Sequence, residues 1–176
     1  MTTETAPNMP IRPTDQDGRR RTRRVRLALV VGTVALVAAD LAVKALAEEE
    51  LRGGGTVDLA VLDLRLGYNS GAAFSLGAGL PSWLVIAVTA LITAGVAVFA
   101  WRAAIESTVP MRVGLSGILG GAVGNLVDRA GDGVVTDYLH TGWWPTFNLA
   151  DVFITLGAAT VLIATLRSET NGVRRN

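Results

Sequence analysis

The stretch FNLADVFITLGAATVLIATL, Phe147 to Leu166, is apolar over nearly its whole length but carries a carboxylate, Asp151, four residues after its start. About 20 predominantly apolar residues are what a helix needs to cross a bilayer. Three similar segments precede it: Leu27 to Ala47, Trp83 to Trp101 and Val109 to Val127. The composition agrees, since half of the 176 residues are hydrophobic and the mean hydropathy is +0.42, too apolar for an ordinary soluble domain. The expected fold is therefore an all-α membrane protein with four transmembrane helices, and an even number of crossings puts both ends of the chain on one side.

Basic residues decide which side. All but four of the 16 lysines and arginines flank the segments on that side. Arg12, Arg19, Arg20, Arg21, Arg23, Arg24 and Arg26 precede the first segment, Arg102 and Arg112 separate the second from the third, and Arg167, Arg174 and Arg175 follow the fourth. Cytoplasmic flanks hold such an excess, so both termini are expected in the cytoplasm. Residues 1–25, rich in Thr, Pro, Asp and Arg, read as a disordered basic tail that can lie on anionic lipid. Residues 26–167 form the membrane domain and 168–176 a second cytoplasmic tail. An Arg-rich start followed by an apolar run also resembles a secretory signal peptide, but this run is long and contains Asp40 and Lys44.

With this topology the polar residues of the spans gather at the outer face. GNLVDRA ends the third segment with Asn125, Asp128 and Arg129, while FNLAD opens the fourth with Asn148 and Asp151. The connection Ala130 to Thr146 contains VVTDY, with Asp137, and YNSGAAF, with Asn69, precedes the second segment. Asp40 and Lys44 are spaced to pair on one helical face. Ionisable groups at membrane depth are costly and generally functional. The outer loop 48–81 alternates apolar and polar residues in TVDLAV and LDLRL, and the phase shifts near Val61 and Leu62, so a small β-rich element with a turn or bulge is expected there.

The ordered set NSGAAF, GGAVGNLVDR, VVTDY and FNLAD resembles the bacterial lipoprotein signal peptidase family, also called signal peptidase II, over about Asp40 to Leu166. The resemblance implies a membrane-embedded aspartic endopeptidase of the bacterial cell membrane that removes the signal peptide from diacylglyceryl-modified prolipoproteins, cutting before the lipid-modified cysteine. It puts the catalytic pair on Asp137 and Asp151, supporting polar residues on Asn69, Asn125, Asp128, Arg129 and Asn148, and a structural ion pair on Asp40 and Lys44. Tyr138 stands where Phe is commoner in the family, and DLAVK keeps only the outer residues of the usual first-helix motif. The expected partners are prolipoprotein substrates and membrane lipids, with no nucleic acid, no metal and no cofactor, and the protein is expected to act as a monomer.

Physical chemistry supports the same pair. Two carboxylates sharing one proton can hydrolyse a peptide without metal or thiol, one taking a proton from water and the other polarising the carbonyl. The chain has no cysteine and a single histidine, His140, which removes thiol nucleophiles and leaves no convincing zinc set. The three asparagines are neutral amides able to meet a substrate backbone. Arg129 can hold a substrate carbonyl, pair with Asp128 or snorkel to the interface. The glycines of GILGGAVGN suit close helix packing, and Trp143 and Trp144 suit the interface. Two other functions compete. One is a serine–lysine protease built on Lys44 with Ser70 or Ser75; the other is a proton-coupled carrier, which four spans and acids at one edge disfavour.

Overall fold

A computed structural model of the chain describes residues 15–71 and 80–173. Four helices, α1 (Asp15–Leu51), α2 (Ser82–Ala103), α3 (Val109–Asp132) and α4 (Leu149–Val173), alternate with three strands, β1 (Val57–Asp58), β2 (Asp63–Asn69) and β3 (Val135–His140). The strands fall between α1 and α2 and between α3 and α4, so one small antiparallel sheet, in the order β1-β2-β3, sits at one end of the helices. Helices α1, α2 and α4 are long and apolar enough to cross a membrane.

The chemistry of the surfaces is inverted relative to a soluble bundle. Large apolar side chains such as Val34, Leu91, Ile92, Leu156 and Leu162 are exposed, whereas the buried set includes Thr33, Asp40, Lys44, Ser116, Asp137 and Asn148. Apolar side chains gain nothing by hiding from lipid, so close packing and polar contacts hold such a bundle together. Helix α3 packs against each of the other three, and against α1 and α4 it does so through glycine. A Cβ at Gly114 would lie 2.8 Å from the Gly157 carbonyl of α4, one at Gly120 would lie 2.8 Å from Leu36 Cβ of α1, and one at Gly121 would collide with the Ala150 carbonyl. Gly121→Ala is therefore expected to cost about 1–3 kcal/mol by overpacking. Gly95→Ala on α2, where a Cβ meets nothing within 4 Å, should be neutral or stabilising. Thermal unfolding of the two variants in detergent checks the contrast; equal melting temperatures would exclude the close approach.

Thr108 caps α3, its hydroxyl accepting from Met111 N at 3.5 Å, with Pro110 in the first turn. Gly133 stops α3 in a left-handed conformation (φ 92°), its N–H donating to Arg129 O. That sharp stop frees the chain to enter β3 at once.

Two sequence expectations are corrected. Helix α1 begins at Asp15, so the basic segment up to residue 25 is helical where it is described, not a disordered tail. Asp17 near the start of the described helix and a run of helix-favouring arginines account for this. Helix α4 is described to Val173, reaching into the segment from residue 168 expected as the cytoplasmic tail. The sheet is not confined to the first outer loop, because VTDYLH of the second connection supplies its third strand. The turn expected near Val61 does lie there: Leu59 N donates to Leu62 O, and Ala60 has φ 70°. A register shift interrupts β2 between Leu64 and Gly67. Ala72 to Phe74 of NSGAAF, and Ser75, lie outside the described residues.

Candidate active site

Strand β3 positions Asp137. Its backbone pairs with Gly67 of β2, and on its other side Tyr138 N and Leu139 N donate to Phe147 O. The chain turns back at Gly142 (φ 85°), and this return lays Phe147 beside β3 and delivers Asn148 to Asp137. Asn148 Nδ2 donates to Asp137 Oδ1 at 2.7 Å.

Asn148 is also the cap of α4, and Asp151 stands three residues into the helix. The two bond reciprocally: Asp151 N donates to Asn148 Oδ1 at 3.1 Å, and Asn148 N donates to Asp151 Oδ2 at 3.3 Å. This is a capping box with Asn and Asp in place of the commoner Ser and Glu. The remaining free N–H groups of the first turn are taken by distant residues. Leu149 N donates to Tyr138 Oη at 3.2 Å and Ala150 N to Asp40 Oδ1 at 2.8 Å. The carboxylate in the apolar stretch is thus part of a fully satisfied helix start, near the positive end of the helix dipole.

The asparagines join the two acids. Asn148 Nδ2 also lies 3.1 Å from Asn125 Oδ1, and Asn125 Nδ2 donates to Asp151 Oδ1 at 2.9 Å. An amide nitrogen has two protons and the oxygen two lone pairs, so Asn148 spends its amide entirely inside the protein. It is fully buried. Asn125 and Asn148, expected as supporting polar residues, link the two carboxylates to each other, and Asn125 also accepts from Lys44. Asn148→Ala is expected to lose about 1 kcal/mol of stability as a lost cap. Asn148→Ser, which can still cap, should recover that stability but not the link to Asp137. Melting and cleavage measured side by side separate the two roles, and equal cleavage by Asn148→Ala and wild type would remove the link from the mechanism.

Beneath the pair lies a cation with three partners. Lys44 Nζ sits 2.9 Å from Asp40 Oδ2, 3.1 Å from Asp128 Oδ2 and 2.8 Å from Asn125 Oδ1. Three acceptors match the three protons of an ammonium. Asp128 also accepts from Thr136 N at 2.8 Å, and the Thr136 hydroxyl donates to Glu48 of α1, so α1, α3 and β3 are bound at one point. Arg129 is 8% exposed, and its guanidinium reaches the Asn69 carbonyl at 3.5 Å, tying α3 to the end of β2. Asn69 Oδ1 accepts from Gly71 N. Trp143 and Trp144 stack edge to face, largely exposed, while His140 lies 3.5 Å from the Thr146 hydroxyl.

Burial, and after it the negative charge of Asp151, hold the Asp137 carboxyl up at about 6. Hydrogen bonds from Asn148 and Asn69 and the charge on Lys44 pull the other way without cancelling the rise. Burial likewise raises the Tyr138 hydroxyl, to about 12, so it stays protonated.

A family model for signal peptidase (SPase) II matches residues 32–167, which takes in α1 from its middle, the sheet and α4 almost to its end. The chain belongs to the signal peptidase II family. Relatives named lipoprotein signal peptidase include one from Rhodococcus jostii, 38% identical over 87% of this chain and 79% of its own length, and one from Mycobacterium leprae, 37% identical over 82% and 73%. Two solved structures, each described as a bacterial membrane enzyme structure obtained in meso, superpose with TM-scores of 0.69 and 0.68 at 25% and 26% identity, covering 82% and 79% of this chain. As a signal peptidase II, the protein is an aspartic-type protease of the membrane. The family expected from the ordered motifs is the family found.

Proposed function

We propose that the chain is a membrane aspartic endopeptidase that removes the signal peptide from diacylglyceryl-modified prolipoproteins, cutting before the lipid-modified cysteine, with Asp137 and Asp151 as its catalytic dyad. The observation that carries the dyad is its connection: one buried amide, Asn148, bonds Asp137 directly and Asp151 through the cap of α4. The raised Asp137 carboxyl supports a pair that holds one proton between two acids up to about pH 6. In that state the ionised carboxylate takes a proton from water, and the water oxygen adds to the scissile carbonyl carbon. The protonated partner donates to the carbonyl oxygen. Collapse of the tetrahedral intermediate breaks the C–N bond, the amine leaves with a proton, and the pair returns to its starting charge.

In this reading α3 is the fourth span, short of hydropathy because glycine and polar residues replace its apolar side chains. Both termini are cytoplasmic and the sheet end faces outward. There the acids lie at the depth where a substrate held by its diacylglyceryl group presents its backbone. Asn69, at the end of β2, and Arg129, on α3, border the pair and are the residues we assign to substrate support, with the protein working as a monomer among membrane lipids. The three acceptors around Lys44 argue against a serine–lysine protease, which would need that amine neutral.

Cleavage of a diacylglyceryl-prolipoprotein by purified protein in detergent tests the reading, with the unmodified precursor alongside. Wild type should cut the modified form alone, and Asp151→Asn should lose activity by about 10²–10⁴-fold. The kcat/KM profile should fall on the alkaline side of about 6 as the shared proton is lost. Full activity in Asp151→Asn would remove that residue from the dyad, and equal cutting of both precursors would refute the lipid requirement.

A further inference from the structure

At the end of the bundle remote from the two acids, α1 and α2 enclose a groove of about 730 Å³. It is lined by Gly18, Arg19, Thr22, Arg23, Arg26, Leu27 and Val30 of α1, with Trp101 of α2 opposite. Along α1 the lining changes character: three arginines occupy the N-terminal half, two aliphatic side chains the other, and there is no acid among the lining residues. The Arg26 guanidinium lies over the Trp101 ring, 4.5 Å from its centre, and Arg26 Nε is shut off from water with no hydrogen-bond partner among the described residues. Leu27, Val30 and Trp101 are all at least 43% exposed.

We propose that this groove is a binding site for one anionic phospholipid of the cytoplasmic leaflet, its phosphate held by Arg23 and Arg26 and the start of an acyl chain laid along Leu27, Val30 and the Trp101 ring. The inference rests on the membrane orientation given above. Depth supports it: from Arg26 to Lys44 is 18 residues of continuous helix, about 27 Å at 1.5 Å per residue, close to the thickness of a hydrocarbon core of about 30 Å. With Lys44 at the outer boundary, Arg26 and Trp101 come to the inner one, where tryptophan and arginine favour the headgroup level and anionic lipid concentrates. Arg19 to Val30 covers about 16 Å of helix, which spans a headgroup and the first part of a chain. A free anion would use the arginines but leave the apolar half and the Trp101 face unoccupied. The charge gradient along one groove matches an amphipathic ligand.

The test is lipid retention by the full chain purified from detergent, offered equal phosphatidylglycerol and phosphatidylcholine and read by native mass spectrometry. Wild type should retain phosphatidylglycerol preferentially. Arg23→Gln and Arg26→Gln should each lower that retention about fivefold, and Trp101→Leu should lower it while leaving charge unchanged. Arg167→Gln, an exposed cation on α4, should have no effect. Loss as large in Arg167→Gln as in the groove variants would overturn the site in favour of diffuse attraction, and so would retention unchanged in Arg23→Gln and Arg26→Gln. Displacement of the lipid by millimolar inorganic phosphate alone would make it an anion site and not a lipid site. Because the chain lacks cysteine, Arg20→Cys reports orientation separately: in intact spheroplasts an impermeant maleimide should label it only after the membrane is opened. Labelling without opening would refute the cytoplasmic placement. Cleavage assayed on the same samples keeps failure of the peptidase reading distinct from failure of the lipid site.

Discussion

Asp137→Asn should leave the protein more stable and unable to cleave. The carboxyl is 4% exposed and its proton is held up to about 6, against an ordinary value of 3.8. A carboxyl whose pKa is raised on folding favours the folded state only while it is protonated in both states. Its contribution is complete below about 4, is lost as pH rises through about 6, and leaves a constant penalty above that. A rise of about two units corresponds to a penalty of roughly 3 kcal/mol. Asparagine has the same shape, cannot ionise, and can still accept from Asn148 through its carbonyl oxygen. The variant should therefore melt above wild type at pH 8, with the gap closing toward pH 4, while cleavage falls by about 10²–10⁴-fold. Thermal unfolding across that range, paired with the prolipoprotein assay, gives both results. A gap that does not depend on pH would mean burial is not what holds the proton, and retained cleavage would remove Asp137 from the dyad.

Lys44→Met should have the opposite effect, a loss of about 3–5 kcal/mol, because it strips the cation from two carboxylates and an amide oxygen. Asp40 is wholly buried and cannot turn to water without moving a helix, and Asp128, 3.1 Å from the same nitrogen, loses the same partner. Asn125, freed on one side, would no longer be fixed for its bond to Asp151, so cleavage should fall as well. Adding Asp40→Asn should return part of the stability, since it removes one unpaired charge, and the non-additivity measures the pairing. A fully stable Lys44→Met protein would mean the ammonium is not what binds α1 to α3.

Periodicity and motif order made much of this legible. Three of the spans were readable because a membrane helix announces itself by length and apolarity alone, and the polar cluster around Asp137 and Asp151 because acids in such surroundings need a reason. The third strand was missed, although Val134, Val135, Thr136 and Tyr138 are strand-favouring residues, because a connection between two spans invites reading as a loop. The helical start of α1 was missed because charge density was taken for disorder. Nothing local in the sequence announced that Asn148 would serve both acids: that depends on the turn at Gly142 bringing Phe147 alongside Leu139, a three-dimensional pairing with no periodic signature.

The first turn of α4 is completed by residues made long before it. Ala150 takes its acceptor from Asp40, 110 positions earlier, and Lys44 reaches Asn125 across 81. During synthesis α4 leaves the ribosome after α1, α2 and α3, and Asp151 acquires its neighbours only when that helix has packed beside α1 and α3. A chain cut short before α4 thus contains Asp137 without Asp151, and with the dyad proposed above such a chain has no means of cutting.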